Sequence, residues 1–171
     1  MPTPLQDEDL EVLARTVTEY FEVAAGDKAQ VRTAWLLEHD EPVLREDFNG
    51  LIEVSGGFAG SICFSAPQRL LDYLLLASGD NNYSRAKYLD LVGEVANTLS
   101  GRARSHFGET LQISPPRAFE RDDPAITPRA EGLPYAIPIL WRSLEANLVV
   151  HLNRQDGPND AADRTLRQGT P

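Results

Sequence analysis

Asp90, Glu94 and Asn97 are spaced so that a single helix would carry all three on one ridge. At about 100° per residue, spacings of three, four and seven bring them within roughly 60° of one another. Two are carboxylates, suited to pairing with a cation. The third is a carboxamide, which offers both a carbonyl acceptor and an NH₂ donor without taking up a proton. Gly93 and Gly101 fall on or beside the same ridge, although glycine inside a helix costs about 1 kcal/mol relative to alanine. Bare backbone at those positions would let a partner's surface come close; equally, the glycines could face a neighbouring loop of the chain. A polar trio on an outer helix face is ordinarily just solvated. A carboxylate such as Asp90 is also what the dipole favours near a helix start, so spacing alone does not make a site.

The helix that must present these residues is the periodic segment from Ser84 to Phe107. Tyr88, Leu89, Val92, Val95, Ala96, Leu99, Ala103 and Phe107 lie on its other side and predict the buried face. Around it, Asp9 to Ala25 reads as an amphipathic helix stopped by Gly26, and Ala29 to Glu38 as a strand through alternating Val31, Thr33 and Trp35. Phe48 to Val54 and Phe58 to Phe64 form a β-hairpin, with Ser55, Gly56 and Gly57 supplying the reversal. A core helix follows Pro67 with Leu70, Leu71, Leu74 and Leu75 on one stripe, ending at Gly79. Leu111 and Ile113 mark a short strand closed by Pro115 and Pro116, after which a polar loop runs to about Gly132. Ala136 to Arg142 and Leu144 to Leu152 read as a second hairpin, Leu148, Val150 and Leu152 alternating with Asn147, Val149 and His151. Hairpins mixed with helices predict an α+β fold, a mostly antiparallel sheet packed against helices. Residues 1–153 form one domain in this reading, and 154–171 a polar, disordered tail. Strand edges at the second hairpin are open to pairing with another copy, as a homodimer.

Composition excludes several classes of function. The 171 residues are 42% hydrophobic, enough for one core, and 26 acidic against 16 basic residues give a net charge of -10. The basic residues are scattered, so nucleic acid is not the expected partner. Met1 to Leu10 lacks a basic flank and an apolar run, which argues against a signal peptide, and no apolar stretch approaches a membrane span. Cys63 is the only cysteine, so no intrachain disulfide or thiolate cluster can form, and a cytoplasmic setting fits. Flanked by Ile62 and Phe64, it reads as a core residue rather than a nucleophile. His39, His106 and His151 lack the spacing of a zinc site. The glycine-rich run from Gly56 to Ser61 lacks the lysine of a nucleotide loop and joins strand to strand.

The stretch Asp90-Leu-Val-Gly-Glu94-Val-Ala-Asn97-Thr-Leu-Ser-Gly101, followed by Ile113-Ser-Pro-Pro116, resembles the signature of the CheC/CheX/FliY phosphatases. That signature is an acidic residue or serine, then Glu, then Asn three residues later on one helix, with a proline downstream. The glycine-punctuated hairpin from Gly50 to Phe64 is similar to the strand pair upstream of that helix in CheX. The likeness covers roughly Asn49 to Pro116, with a weaker match from Pro134 to Leu152, and the single ExxN helix favours CheX over CheC. The resemblance implies a protein phosphatase of two-component signalling and chemotaxis, acting on the phosphoaspartate of a CheY-like response regulator. It implies that Asn97 orients the attacking water and that Glu94 pairs with a lysine beside the phosphorylated aspartate. Asp90 would add an acidic contact, with Gly93 and Gly101 at the partner surface. No metal or cofactor is expected in this chain, because the receiver would bring its own Mg²⁺. The competing expectations are a non-catalytic adaptor that binds phosphorylated receivers, and a small-ligand sensor with a pocket between sheet and helices.

Overall fold

The computed structural model describes residues 3–38, 45–124 and 132–155. Helix α1 (Asp7–Ala25) begins where the Asp9 carboxylate accepts the Gln6 N–H at 2.9 Å. It ends where Gly26 turns left-handed at φ 69° and returns its N–H to Glu22. Both devices satisfy backbone groups that a helix end leaves unpaired. Helix α2 (Gln68–Ala77) follows Pro67, with Asp47 accepting the Gln68 N–H at 2.8 Å. Helix α3 (Arg85–Phe107) starts at Ser84, whose hydroxyl accepts the Lys87 N–H, and stops at Gly108. Among the described residues, no helix is long and apolar enough to cross a membrane.

The strands are β1 (Thr3–Pro4), β2 (Gln30–Val31), β3 (Trp35–Leu36), β4 (Phe48–Gly56) and β5 (Phe58–Ala66). They continue with β6 (Leu111–Ile113), β7 (Arg117–Glu120), β8 (Tyr135–Trp141) and β9 (Leu144–Arg154). All join one antiparallel sheet in the order β2-β8-β9-β5-β4-β6, with β1 on β9, β3 on β8 and β7 on β4. The helices lie on one face. There Phe21, Ile52, Ile62, Phe64, Leu70, Leu71, Val92, Leu99, Ile139, Trp141 and Leu148 join one fully buried cluster. The interdigitated side chains of this layer carry most of the hydrophobic stabilisation.

The expected α+β class, both hairpins and all three helices are observed. Four expectations need correcting. The strand expected over Ala29 to Glu38 is two short pieces, because β2 and β3 each pair with β8 across a break at Arg32–Ala34. These pieces cover the β8 edge expected to be open to a second copy. The loop expected after Pro116 contains β7, which pairs with β4 and buries Phe119. Strand β9 is buried on both faces from Ala146 to Asn153, where alternation predicts one buried face. It runs to Arg154, and Gln155 donates its N–H to Gly57 at 2.9 Å. The rest of the expected tail, His39 and part of the polar loop before Gly132 lie outside the described residues.

Candidate functional site

Helix α3 owes its seat to a missing side chain on the strand beneath it. A Cβ on Gly50 of β4 would lie 2.6 Å from the carbonyl carbon of Val92, closer still to its oxygen, and 3.1 Å from the Gly93 nitrogen. Only glycine lets helix backbone settle so near to strand backbone. With the middle of α3 fixed in this way, Tyr88, Val92, Val95, Ala96, Leu99 and Ala103 are buried, and Leu89 and Phe107 pack partly buried against the same core. Helical geometry then turns the opposite ridge outward. Asp90, Glu94, Asn97 and Gly101 are all exposed along it, within two to three turns.

Different neighbours flank the ridge on its two sides. On one, α1 packs against α3 and brings up Tyr20, whose hydroxyl is pushed up to about 12. Burial is the main cause, and the nearby Glu94 carboxylate adds to it against the opposing Arg102. On the other side, Pro116 covers Gly93, and a Cβ there would meet the proline ring at 3.5 Å. Gly93 is therefore buried beneath the β6–β7 connection, which corrects its expected place on the outward ridge. Its closeness serves the chain's own proline. At Gly101, by contrast, a Cβ would meet no heavy atom within 4 Å, so this glycine leaves open space outside the helix.

The ridge is acidic towards its N-terminal end. Lys87, one turn before Asp90, is held by Asp80 at 2.7 Å, and that hydrogen bond is the first cause of its raised pKa. Asp90 and Glu94 raise it further, so their field reaches the ammonium. With Lys87 committed to Asp80, two carboxylates and a carboxamide stand exposed one after another. The arrangement can receive a cation at Glu94 or Asp90 while Asn97 donates and accepts a hydrogen bond one turn further on. Lys87 and Pro116 are neighbours of the ridge that spacing within α3 could not assign: one is held by a loop residue, the other comes from the β6–β7 connection. Among the described residues, no cluster of three or more His, Cys, Asp or Glu is arranged to hold a metal. The Cys63 thiol is pushed up to about 12 by burial, unfavourable for a nucleophile.

The family model described as chemotaxis phosphatase CheX matches residues 48–140, a span that begins at β4 and includes all of α3. A crystal structure of a chemotaxis protein CheX from Desulfovibrio desulfuricans has a similar fold, with a TM-score of 0.74 at 22% identity. That match covers 86% of this chain and 99% of the other. CheX from Vibrio vulnificus gives 0.72 at 19% identity, over 85% and 99% of the two chains. A complex of CheX with CheY, BeF₃ and Mg²⁺ from Borrelia burgdorferi gives 0.63 at 11% identity, over 87% and 98%. Likenesses at these identities establish the shared fold. No curated protein matches the chain in sequence.

Proposed function

Since the chain belongs to the chemotaxis phosphatase CheX family, whose model spans more than half of it, we propose that it hydrolyses the phosphoaspartate of a CheY-like response regulator. The observation that carries this reading is the exposure of Glu94 and Asn97 one turn apart on the outward ridge of α3, with open space beside Gly101. An acyl phosphate is already activated, so its hydrolysis is chiefly a matter of placing water in line with the leaving oxygen. The Asn97 carbonyl accepts a hydrogen from that water, and its NH₂ donates to a phosphoryl oxygen. The water oxygen attacks phosphorus, the bond to the aspartate oxygen breaks to leave a free carboxylate, and both of the water's protons leave with the phosphate. Because an amide does not titrate, the orientation holds across the physiological pH range.

Glu94 has an anchoring part in this reading. Its carboxylate pairs with the lysine beside the receiver's phosphorylated aspartate and fixes the register that brings Asn97 onto the phosphorus. Asp90 adds acidic character one turn earlier, and Gly101 leaves clearance for the receiver's surface. The Mg²⁺ belongs to the receiver, where it neutralises charge on the phosphoryl oxygens.

The test is phosphate release from a receiver phosphorylated by a small phosphodonor, with and without this chain. The wild type accelerates release. Asn97→Ala removes most of the acceleration, about 100-fold as for loss of one positioned hydrogen-bonding group, while binding to the beryllofluoride-activated receiver stays within a few-fold. Equal release rates for the wild type and Asn97→Ala refute the catalytic assignment. Binding without any acceleration by the wild type identifies an adaptor instead.

A further inference from the structure

The face of the sheet turned away from the helices holds a cavity of about 720 Å³, within the range of small-molecule sites. It opens where β2 and β3 break over β8, and its lining includes Arg32, Trp35, Glu46, Pro138, Glu145 and Asn147. We infer that this cavity binds a small organic ammonium ion, held between the Trp35 ring, the Glu46 and Glu145 carboxylates and the Asn147 amide.

A row of polar side chains crosses this face of the sheet. Register aligns Asn49, Ser65 and Asn147 across β4, β5 and β9. Strand alternation turns all three away from the core that holds Phe48, Phe64 and Leu148. Two of the three have structural work. Asn49 donates its side-chain N–H to the Glu46 carbonyl at 3.1 Å, and Ser65 accepts the Glu46 N–H at 2.7 Å. Together they fix the Glu46 main chain at the rim of the cavity. Asn147 does nothing comparable. Only 9% exposed, it lines the cavity and makes no side-chain hydrogen bond among the described residues. Its carbonyl and NH₂ are therefore not committed to another described residue and are available to a ligand in the cavity.

The charges around the cavity call for a cation. Glu46 and Glu145 both line it, while Arg32 is long at 3.9 Å from Glu145 and mostly exposed. The Glu46 carboxyl is pushed up by burial first, then by Asp47 and Glu145, with only Arg121, 3.6 Å away, opposing. Trp35, 40% exposed, gives the space an aromatic wall. Carboxylates beside an indole suit an alkylammonium, which pairs with the acids and lies against the ring. A bare metal ion is a poorer occupant, because the cavity is far larger than an ion and its donors form no metal-binding cluster among the described residues.

The probe is choline, titrated into the full chain by calorimetry, with the indole N–H resonance of Trp35 followed by NMR. Saturable binding is expected in the millimolar range or tighter. Trp35→Ala and Glu145→Gln each weaken it at least about fivefold, a modest cation–π or ion-pair loss. Both side chains are exposed, so thermal unfolding near that of wild type verifies that these variants fold. Asn97→Ala leaves choline affinity unchanged, which separates this site from the α3 ridge. No saturable binding up to roughly 50 mM, well above any affinity of this class, overturns the inference, as does undiminished binding in both variants. Glycine betaine, which adds a carboxylate to the same trimethylammonium group, overturns the cation assignment if it binds as tightly as choline.

Discussion

Replacing Gly50 by alanine tests the seat on which the proposed site depends. The added methyl carbon would lie 2.6 Å from the Val92 carbonyl carbon and closer still to its oxygen, whereas ordinary contact begins at 3.4 Å, so α3 and β4 must separate by more than about 0.8 Å at that point. The obstacle is helix backbone and has no rotamer by which to escape. Val92, Val95, Ala96 and Leu99 are all essentially inaccessible, so lifting α3 also opens gaps along its buried face. These effects place the cost near the top of the overpacking range, about 3 kcal/mol. With a urea m-value of about 2 kcal/mol/M for a small domain, the unfolding midpoint falls by about 1.5 M. A chain of ordinary stability stays folded under assay conditions. The ridge moves with its helix, and misplacement of catalytic groups by about 1 Å can cost about 100-fold in rate. Receiver dephosphorylation should therefore fall much further than the loss of folded protein explains. A midpoint within about 0.3 M of wild type would refute the close approach as the constraint at this position.

Gly101→Ala should act in the opposite sense on stability, because its new methyl meets open space; a gain of about 0.5–1 kcal/mol in urea unfolding is expected. If Gly101 provides clearance for the receiver, the same variant binds beryllofluoride-activated receiver more weakly, and unchanged affinity removes that role. Asp9→Ala should cost about 1–2 kcal/mol in the same unfolding assay, since the buried Asp9 carboxylate takes the Gln6 N–H and lies within 4 Å of both His106 and Arg154. A cost below about 0.3 kcal/mol would show that this tie is idle. Alkali should weaken the fold, because burial raises the Cys63 thiol from 9.0 to about 12 and the Tyr20 hydroxyl from 10.0 to about 12. For groups raised in the folded state, the stabilisation is complete below the unfolded pKa and is lost as pH climbs towards the folded one. The urea midpoint should then decline from about pH 9, and Cys63→Ala should delay the onset to about pH 10; a flat profile from about pH 8 to 11 contradicts the burial of both groups.

The parts of this molecule legible from sequence are those set by neighbours a few residues away. The outward ridge of α3 followed from helical period, since Tyr88, Val92, Val95, Leu99 and Ala103 leave Asp90, Glu94 and Asn97 only the opposite side. Gly93 shows where that reasoning ends. It lies on the flank of the ridge, and whether a flank meets solvent depends on what crosses beside it; here Pro116 arrives from a separate strand connection. Strand β7 was hidden for a related reason: Arg117-Ala-Phe-Glu120 has one buried side chain, and its pairing with β4 is set by the hairpin across the sheet rather than by its own pattern. Local alternation in β9 likewise told which side chains share a face but not that both faces would be covered, because the far cover includes Leu37, beside the two-residue strand β3, packed with Ala136 and Val149. The same gap between local pattern and long-range cover explains where the cavity lies. The ligand-sensor alternative would put a pocket between sheet and helices, where the core is closely packed; space remains on the other face, where β2 and β3 break and the Asn147 amide borders the cavity. A glycine or an asparagine in a sequence states what its backbone or side chain permits, and only the distant residue beside it decides whether that freedom seats a helix, accepts a proline or opens onto a ligand.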